Sequence, residues 1–336
     1  MEKNPFLIDI PDRNDKEAYD INDYILIQEK LNNIDIRDYI EKMYTSKNDF
    51  YSKNDFYNRC SRGIRQKLCD TENNLLPTKK LYKIGNGGDN KSCFVCCTAF
   101  SHNRVEDDQQ QTRYIASQQI KKSLEEVGYN GHLLLMNGGF PTPRGIEMKY
   151  VGVPYCFKIF LMLEAEKLGF ERVIWVDSGC YAVNNPEHLF DVLKEKHTLF
   201  RSFPNNINNI VFQETADLLD SLTGGDIHNS IFVNSIVFGL NLTNEKIKKF
   251  IDQYYAMVVL GLPFLSYYPE EIVFTAIFNQ PEFKELIHSA HENYMLQIHE
   301  TYADLNRAKE VGYYFVHRYY NHYIGGTKGS PLPPPL

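Results

Sequence analysis

Several acidic and basic residues of this chain stand where they could do chemistry. Asp177 follows the apolar run Val173-Ile174-Trp175-Val176 directly and is succeeded by Ser178 and Gly179. An aspartate at the end of a buried strand has two readings. Its oxygens can cap the next turn, or they can act as hard ligands for Mg2+ or Mn2+ and so offset charge on a phosphate leaving group. Glu270 and Glu271 come just after Pro269 at the start of a predicted helix. Carboxylates favour a helix N-terminus whatever the function, but one within hydrogen-bond reach of a hydroxyl can also serve as its base. Asp226, in the loop TGGDIHNS, is a second candidate for that acceptor-side role. Lys158 stands alone on an otherwise apolar helix. It either snorkels to solvent or meets a phosphate. His317 and His322 are five residues apart, which is not the i, i+4 spacing of a helical metal pair. Their aromatic neighbours suit core or sugar-stacking roles, and His317 has the better claim to a site because it follows a predicted strand. Trp175, the only tryptophan, reads as core.

The elements that must position these residues alternate between strand and helix. Ser92–Phe100 is an apolar, β-branched and aromatic run, predicted as a buried strand. Asp107–Val127 has helical spacing, an acidic start and Gly128 as a stop. Strands are predicted at Leu133–Met136, Val173–Val176, His197–Arg201, Ile231–Leu240 and Gly312–Val316. Helices are predicted at Pro154–Leu168, Pro186–Lys194, Val211–Leu222, Asn244–Leu260 and Pro269–Phe278. Repeated strand–helix–strand units make a mostly parallel sheet covered by helices. In such sheets ligands bind at the C-terminal ends of strands, and Asp177 stands at one.

Residues 150–190, YVGVPYCFKIFLMLEAEKLGFERVIWVDSGCYAVNNPEHLF, resemble the central block of GT-A-fold glycosyltransferases, which use nucleotide diphosphate sugars. In that family a lysine-bearing helix, here around Lys158, precedes a strand ending in Asp-x-Asp, and an Asn-Pro-x-x-Leu-Phe type segment follows, here Asn185 to Phe190. Three later stretches agree. HNSIFVNSIVFGLNLTNEKIKKFIDQY resembles the acceptor-side strand and helix, with Ile236 where the family turn has glycine. YYPEEIVFTAIFNQ resembles the acidic helix start. GYYFVHRYYNHYIGGTKG resembles the closing segment, where a histidine completes the metal site and a lysine touches phosphate. The resemblance implies a GT-A-like, Rossmann-type α/β domain that transfers a sugar from a nucleotide diphosphate sugar, a UDP-sugar being favoured, to a hydroxyl of a glycan or glycoconjugate. It implies a nucleotide and diphosphate site from Thr98, Ala99, Phe100, Arg104, Arg113, Lys158, Asp177, Ser178, Gly179 and Lys328. Asp226, Glu270 and Glu271 become the acceptor-side acids, and Asp177, His317 and His322 the ligands of an optional Mn2+ or Mg2+. One departure stands out: the chain reads Asp177-Ser178-Gly179, so the second carboxylate is missing. That motivates a rival reading, a catalytically silent relative kept as a carbohydrate-binding or assembly module. A phosphohydrolase with Asp177 as nucleophile would want a second acid two residues on, and Gly179 denies it.

Composition sets the outer bounds. The chain has 336 residues, 43% hydrophobic and 24% charged, enough for a sizeable core. A net charge of −7 and no basic patch argue against nucleic acid as a main partner. The N-terminus lacks a signal-peptide core, and no window has the apolar length to span a bilayer, so a cytoplasmic protein is expected. Seven cysteines, three of them in CFVCC, fit buried thiols better than disulfides. On a strand Cys93 and Cys96 point to opposite faces, so CFVCC reads as core, not as a metal motif. Residues 1–88 are polar, carry the tandem SKNDFYSKNDFY, and are expected to be a mainly helical N-terminal appendage. Residues 89–326 form the expected glycosyltransferase domain, and 327–336 an extended Pro-rich tail. Asn90-Lys91-Ser92 and Asn241-Leu242-Thr243 are sequons.

Overall fold

A computed structural model describes residues 78–98, 109–137, 139–204, 207, 210–287, 295–298 and 302–318. Of the expected helical appendage over 1–88, residues 1–77 lie outside the described residues, as does the Pro-rich tail.

The chain folds as mixed α/β. Six strands form the main sheet: β1 (Thr78–Ile84), β2 (Ser92–Thr98), β3 (Gly131–Asn137), β4 (Arg172–Val176), β6 (Thr198–Pro204) and β7 (Ile231–Asn241), in the order β1-β3-β2-β4-β7-β6. Parallel pairing joins β3, β2 and β4 at the centre, and β1 and β7 run against them. Because β6 is antiparallel to β7, four of the six strands point the same way. A smaller sheet orders β5 (Cys180–Ala182), β9 (Phe315–Arg318) and β8 (Met295–Ile298). Seven helices are described: α1 (Gln109–Glu126), α2 (Phe157–Lys167), α3 (His188–Lys196), α4 (Gln213–Thr223), α5 (Glu245–Leu260), α6 (Pro269–Phe278) and α7 (Tyr302–Val311).

Strand alternation explains the layers. Cys93, Val95, Leu134, Val173 and Trp175 face one side and pack with α2, α4, α5 and α6. Phe94, Cys96, Leu133, Ile174 and Val176 face the other and pack with α1, α3 and the small sheet. Cys93 and Cys96 thus enter opposite cores, as the alternation requires, and the five described cysteines are buried and outside any disulfide.

Three expectations change. Thr78–Ile84, counted with the N-terminal appendage, is an edge strand of the main sheet, antiparallel to β3. Its sequence TKKLYKI looks polar because an edge strand is lined with lysines that discourage further pairing. Helix α2 starts at Phe157 rather than near Pro154, because Tyr155 has φ 59, a left-handed conformation that interrupts the turn. The last strand falls at Phe315–Arg318 and not at Gly312, since Gly312 (φ 92) ends α7, a helix the sequence reading did not find. Asn241 closes β7. Its side-chain oxygen accepts from the N–H and hydroxyl of Thr243, its amide nitrogen lies 3.4 Å from Nδ1 of His197, and the residue is buried.

Candidate functional site

The C-terminal end of β4 is where the sheet becomes irregular. Asp177 continues the β4 ladder by donating its N–H to the carbonyl of Ile236 on β7 (2.9 Å). On the other edge of β7, Leu199 pairs with Gly239 but Arg201 with Asn234, so two residues along β6 span five along β7. Such an irregularity re-aims side chains. Here it falls at Asn234 to Phe238, beside Asp177 and the N-terminus of α6.

Four of the residues singled out from the sequence meet there. Lys158, on α2, is 4% exposed and places its ammonium 3.0 Å from Oδ1 of Asp177 and 2.8 Å from Oε1 of Glu270. It also donates to the carbonyl (3.1 Å) and the hydroxyl (3.0 Å) of Ser235. The Ser235 hydroxyl donates to Glu270 Oε1 at 2.8 Å. Glu271 has no direct contact with the ammonium among the described bonds. Its Oε1 accepts from the Asn234 side-chain amide (2.7 Å) and the Ser235 N–H (2.8 Å). The rings of Trp175 and Tyr155 flank the ammonium at 5.6 and 5.9 Å, within cation–π reach.

Trp175 has a role beyond the core packing expected of it. Its indole N–H donates to Asp177 Oδ1 at 2.6 Å. The spacing carries the signal: residues i and i+2 of a strand share a face. Asp177 therefore has one oxygen held by a cation and an indole. The turn after it is closed by the backbone instead, Cys180 N–H to Asp177 carbonyl at 2.9 Å, so the side-chain turn cap is not what forms. Ser178 and Gly179 occupy that turn, both half-buried.

Three carboxylates around one ammonium give uneven electrostatics. Burial alone would pull the Lys158 pKa down, but Asp177, Glu270 and Glu271 outweigh it and hold it above the usual lysine range. For Glu271, burial and then the Glu270 charge push the carboxyl up to about 8, against the opposing pull of Lys158 and the Ser235 N–H. A proton is thus available within the cluster near neutral pH.

The remaining expected residues are placed elsewhere. Asp226 caps the 3-10 turn Ile227–Asn229, its oxygens accepting from the Asn229 N–H (3.2 Å) and side-chain amide (2.7 Å). His317 is buried on β9, opposite Cys180 in the β5–β9 ladder, and so lies just beyond the Asp177 turn. For Thr98 and Arg113 only the backbone is described, at the end of β2 and in α1. Ala99, Phe100, Arg104, His322 and Lys328 lie outside the described residues. Among the described residues, no group of three or more His, Cys, Asp or Glu side chains is arranged to hold a metal ion. Asp177 has its Oδ1 committed to Lys158 and Trp175, and Gly179 offers no oxygen from a side chain, so the described residues do not by themselves fit Mn2+ or Mg2+.

The sequence reading gave Tyr155 no role, and it placed Asn234 and Ser235 only as part of the acceptor-side turn that the resemblance implies, ending in Ile236, without foreseeing their contacts to Glu271 and Lys158. Tyr155 is marked only by its left-handed backbone, which residue type does not announce. The segment leading to it is held by two buried carboxylates. Glu147 accepts the N–H groups of Arg144 (3.0 Å) and Ile146 (3.1 Å), and Glu164 accepts that of Thr142 (2.8 Å) while pairing with Lys79 of β1.

No protein-family model matches the chain, and no curated protein matches it. A search of solved structures returns matches at low identity. Mouse xyloside xylosyltransferase 1, in its apo form, is 12% identical with a TM-score of 0.42, over 67% of this chain and 96% of that one. A glycosyltransferase involved in the glycosylation of the major capsid of PBCV-1 is 16% identical with a TM-score of 0.37, over 67% of this chain and 92% of that one. The apo structure of the bifunctional glycosyltransferase WbbM is 9% identical with a TM-score of 0.39, over 70% of this chain and 47% of that one. Among the described residues no helix is long and apolar enough to cross a membrane.

Proposed function

We propose that the chain is a glycosyltransferase that moves a sugar from a nucleotide diphosphate sugar to a hydroxyl of a glycan or glycoconjugate. One observation carries the reading: Lys158, Asp177, Glu270 and Glu271, far apart in sequence, converge at the C-terminal end of β4, where open α/β sheets bind ligands.

The nucleotide docks at the end of β2 and the residues that follow it, with Thr98, Ala99 and Phe100 beside base and ribose. Arg104, Arg113 and Lys328 supply positive charge to the diphosphate. Asp177 accepts hydrogen bonds from sugar hydroxyls through the part of its carboxylate not held by Lys158. Glu271, ionised, takes the proton of the incoming hydroxyl as that oxygen bonds to the anomeric carbon. The bond from that carbon to the diphosphate oxygen breaks, and the electron pair leaves with the diphosphate. A base whose pKa lies near the working pH suits this step. Glu271 is chosen over Glu270 because burial and the Glu270 charge bring its carboxyl near the working pH; both have one oxygen engaged, Glu271 by Asn234 and Ser235 and Glu270 by Lys158 and Ser235, and Asp226 caps a turn.

Gly179, where the family pattern has a second carboxylate, favours the silent carbohydrate-binding module as the second reading. A thermal-shift panel of UDP-, GDP-, ADP- and CMP-sugars, each with Mn2+ and with EDTA, separates the two. A ligand at a hundred times its Kd adds about 2.7 kcal/mol of stability. A rise in Tm with one nucleotide sugar, together with turnover that drops by about 100-fold or more in Glu271→Gln, supports the transferase. No shift with any nucleotide sugar at millimolar concentration removes it and leaves the silent module.

A further inference from the structure

The sequence leaves Lys158 two roles, snorkelling to solvent or meeting the donor sugar or its phosphate. Its surroundings say otherwise. An ammonium has three N–H groups and no acceptor. Four acceptor atoms already surround this one at 2.8 to 3.1 Å: Glu270 Oε1, Asp177 Oδ1, and the hydroxyl and carbonyl oxygens of Ser235. Two aromatic rings flank it, and 4% of the side chain is exposed. No N–H is left over for a ligand, and two carboxylates already match its charge.

We propose that Lys158 is a positioning residue that never meets the donor: its ammonium braces α2, the end of β4, the irregular stretch of β7 and the N-terminus of α6 into one register. The partners define what it positions. Through Asp177 it fixes the oxygen that Trp175 also holds. Through Ser235 it fixes the residue whose N–H and hydroxyl approach Glu271 (2.8 and 3.4 Å). Lys158 thus reaches the proposed base by way of Ser235, without touching a reacting atom. Positive charge for a diphosphate must then come from other residues. The brace itself exists without any ligand, so it stands or falls independently of the transferase reading.

The test uses the full chain as wild type, Lys158→Met, and Lys158→Met with Glu270→Gln, which removes one carboxylate along with the ammonium. Thermal unfolding and the emission of Trp175 are read without ligand, and UDP binding is read by calorimetry. A brace lowers Tm by about 10 °C in Lys158→Met, because a buried charge group has lost its partner. Glu270→Gln then restores a large part of that loss. Trp175 emission shifts in both variants, since the oxygen bonded to its indole has lost its anchor; a lysine that only fills space leaves that emission unchanged. UDP binding to the double variant stays within about threefold of wild type. If Lys158→Met does not fold, the double variant supplies emission and binding. Wild-type Tm and emission in Lys158→Met overturn the proposal. So does UDP binding more than about tenfold weaker in a double variant of near wild-type Tm. If UDP does not bind wild type either, UDP is excluded as the donor nucleotide, the transferase reading is decided by the full nucleotide-sugar panel, and Tm and emission alone decide the brace.

Discussion

Strand β4 has an ion pair at each end, and the two could hardly be more different. At its start, Arg172 bonds Asp89 (2.7 Å) and the Ser92 hydroxyl (3.1 Å), and the Asp89 side chain is 49% exposed. At its end, Asp177 bonds Lys158, whose side chain is nearly sealed from water. Distances are similar, so geometry does not separate them; access to water does. The first pair is screened and replaceable. The second is surrounded by further carboxylates, a hydroxyl and an indole, so no member can leave without stranding the others. A strand that carries both shows that a short N···O distance says little about function until burial is known.

The sharpest way to break this comparison is to remove the cation at each end. Lys158→Met is expected to lower unfolding free energy by about 3–5 kcal/mol. Arg172→Met should cost a fraction of that, and equal losses in urea titrations at the two ends would abolish the distinction. The next effect is in pH. Glu271 is pushed from the ordinary 4.5 up to about 8, so the folded state holds a proton that the unfolded chain gives up above about pH 4.5. Stability at the buried end is therefore full below that value and falls as pH rises towards 8, by about 2 kcal/mol between pH 5 and 7. Glu271→Gln should flatten that slope. Asp89 behaves oppositely. Burial opposes its ionisation, but the Ser92 hydroxyl, Arg172 and the Lys91 N–H overcome it and hold the carboxyl down at about 2. Its contribution is present above pH 3.8 and is lost as pH falls through 2. A third, smaller effect is expected for Trp175→Phe, about 1–2 kcal/mol from the lost indole bond to a carboxylate. The smallest is Asp89→Asn, below about 1 kcal/mol, read in the same denaturant series.

The two ends of β4 also differ in how far the sequence revealed them. VIWV followed by Asp177 was readable because a short apolar run rich in β-branched and aromatic residues fits a buried strand, and its end is where a site belongs. Glu270 and Glu271 were readable as a helix start, and Pro269–Phe278 is the helix that forms. That Lys158, Asp177 and these glutamates converge was not readable without the resemblance, because sequence spacing says nothing about contacts between α2, β4 and α6. Saturation of Lys158 was hidden for a further reason. It depends on the Ser235 carbonyl, a backbone atom whose aim is set by the irregular pairing of β7 with β6. The edge strand β1 was lost because edge positions select lysine over the apolar residues that mark buried strands.

The two sequons have different fates once the chain is folded. The amide nitrogen of Asn241, the atom to which a glycan would attach, is turned towards His197, while its oxygen is taken by Thr243. An oligosaccharide could join it only while β7 is still unpaired, and its bulk would then keep Asn241 out of the place where it ends the strand. Asn90, in the exposed turn between β1 and β2, has no such restriction. If this chain ever meets a glycan-attaching machinery, a sugar on Asn90 is compatible with the native fold, and a sugar on Asn241 identifies molecules that were modified before they folded.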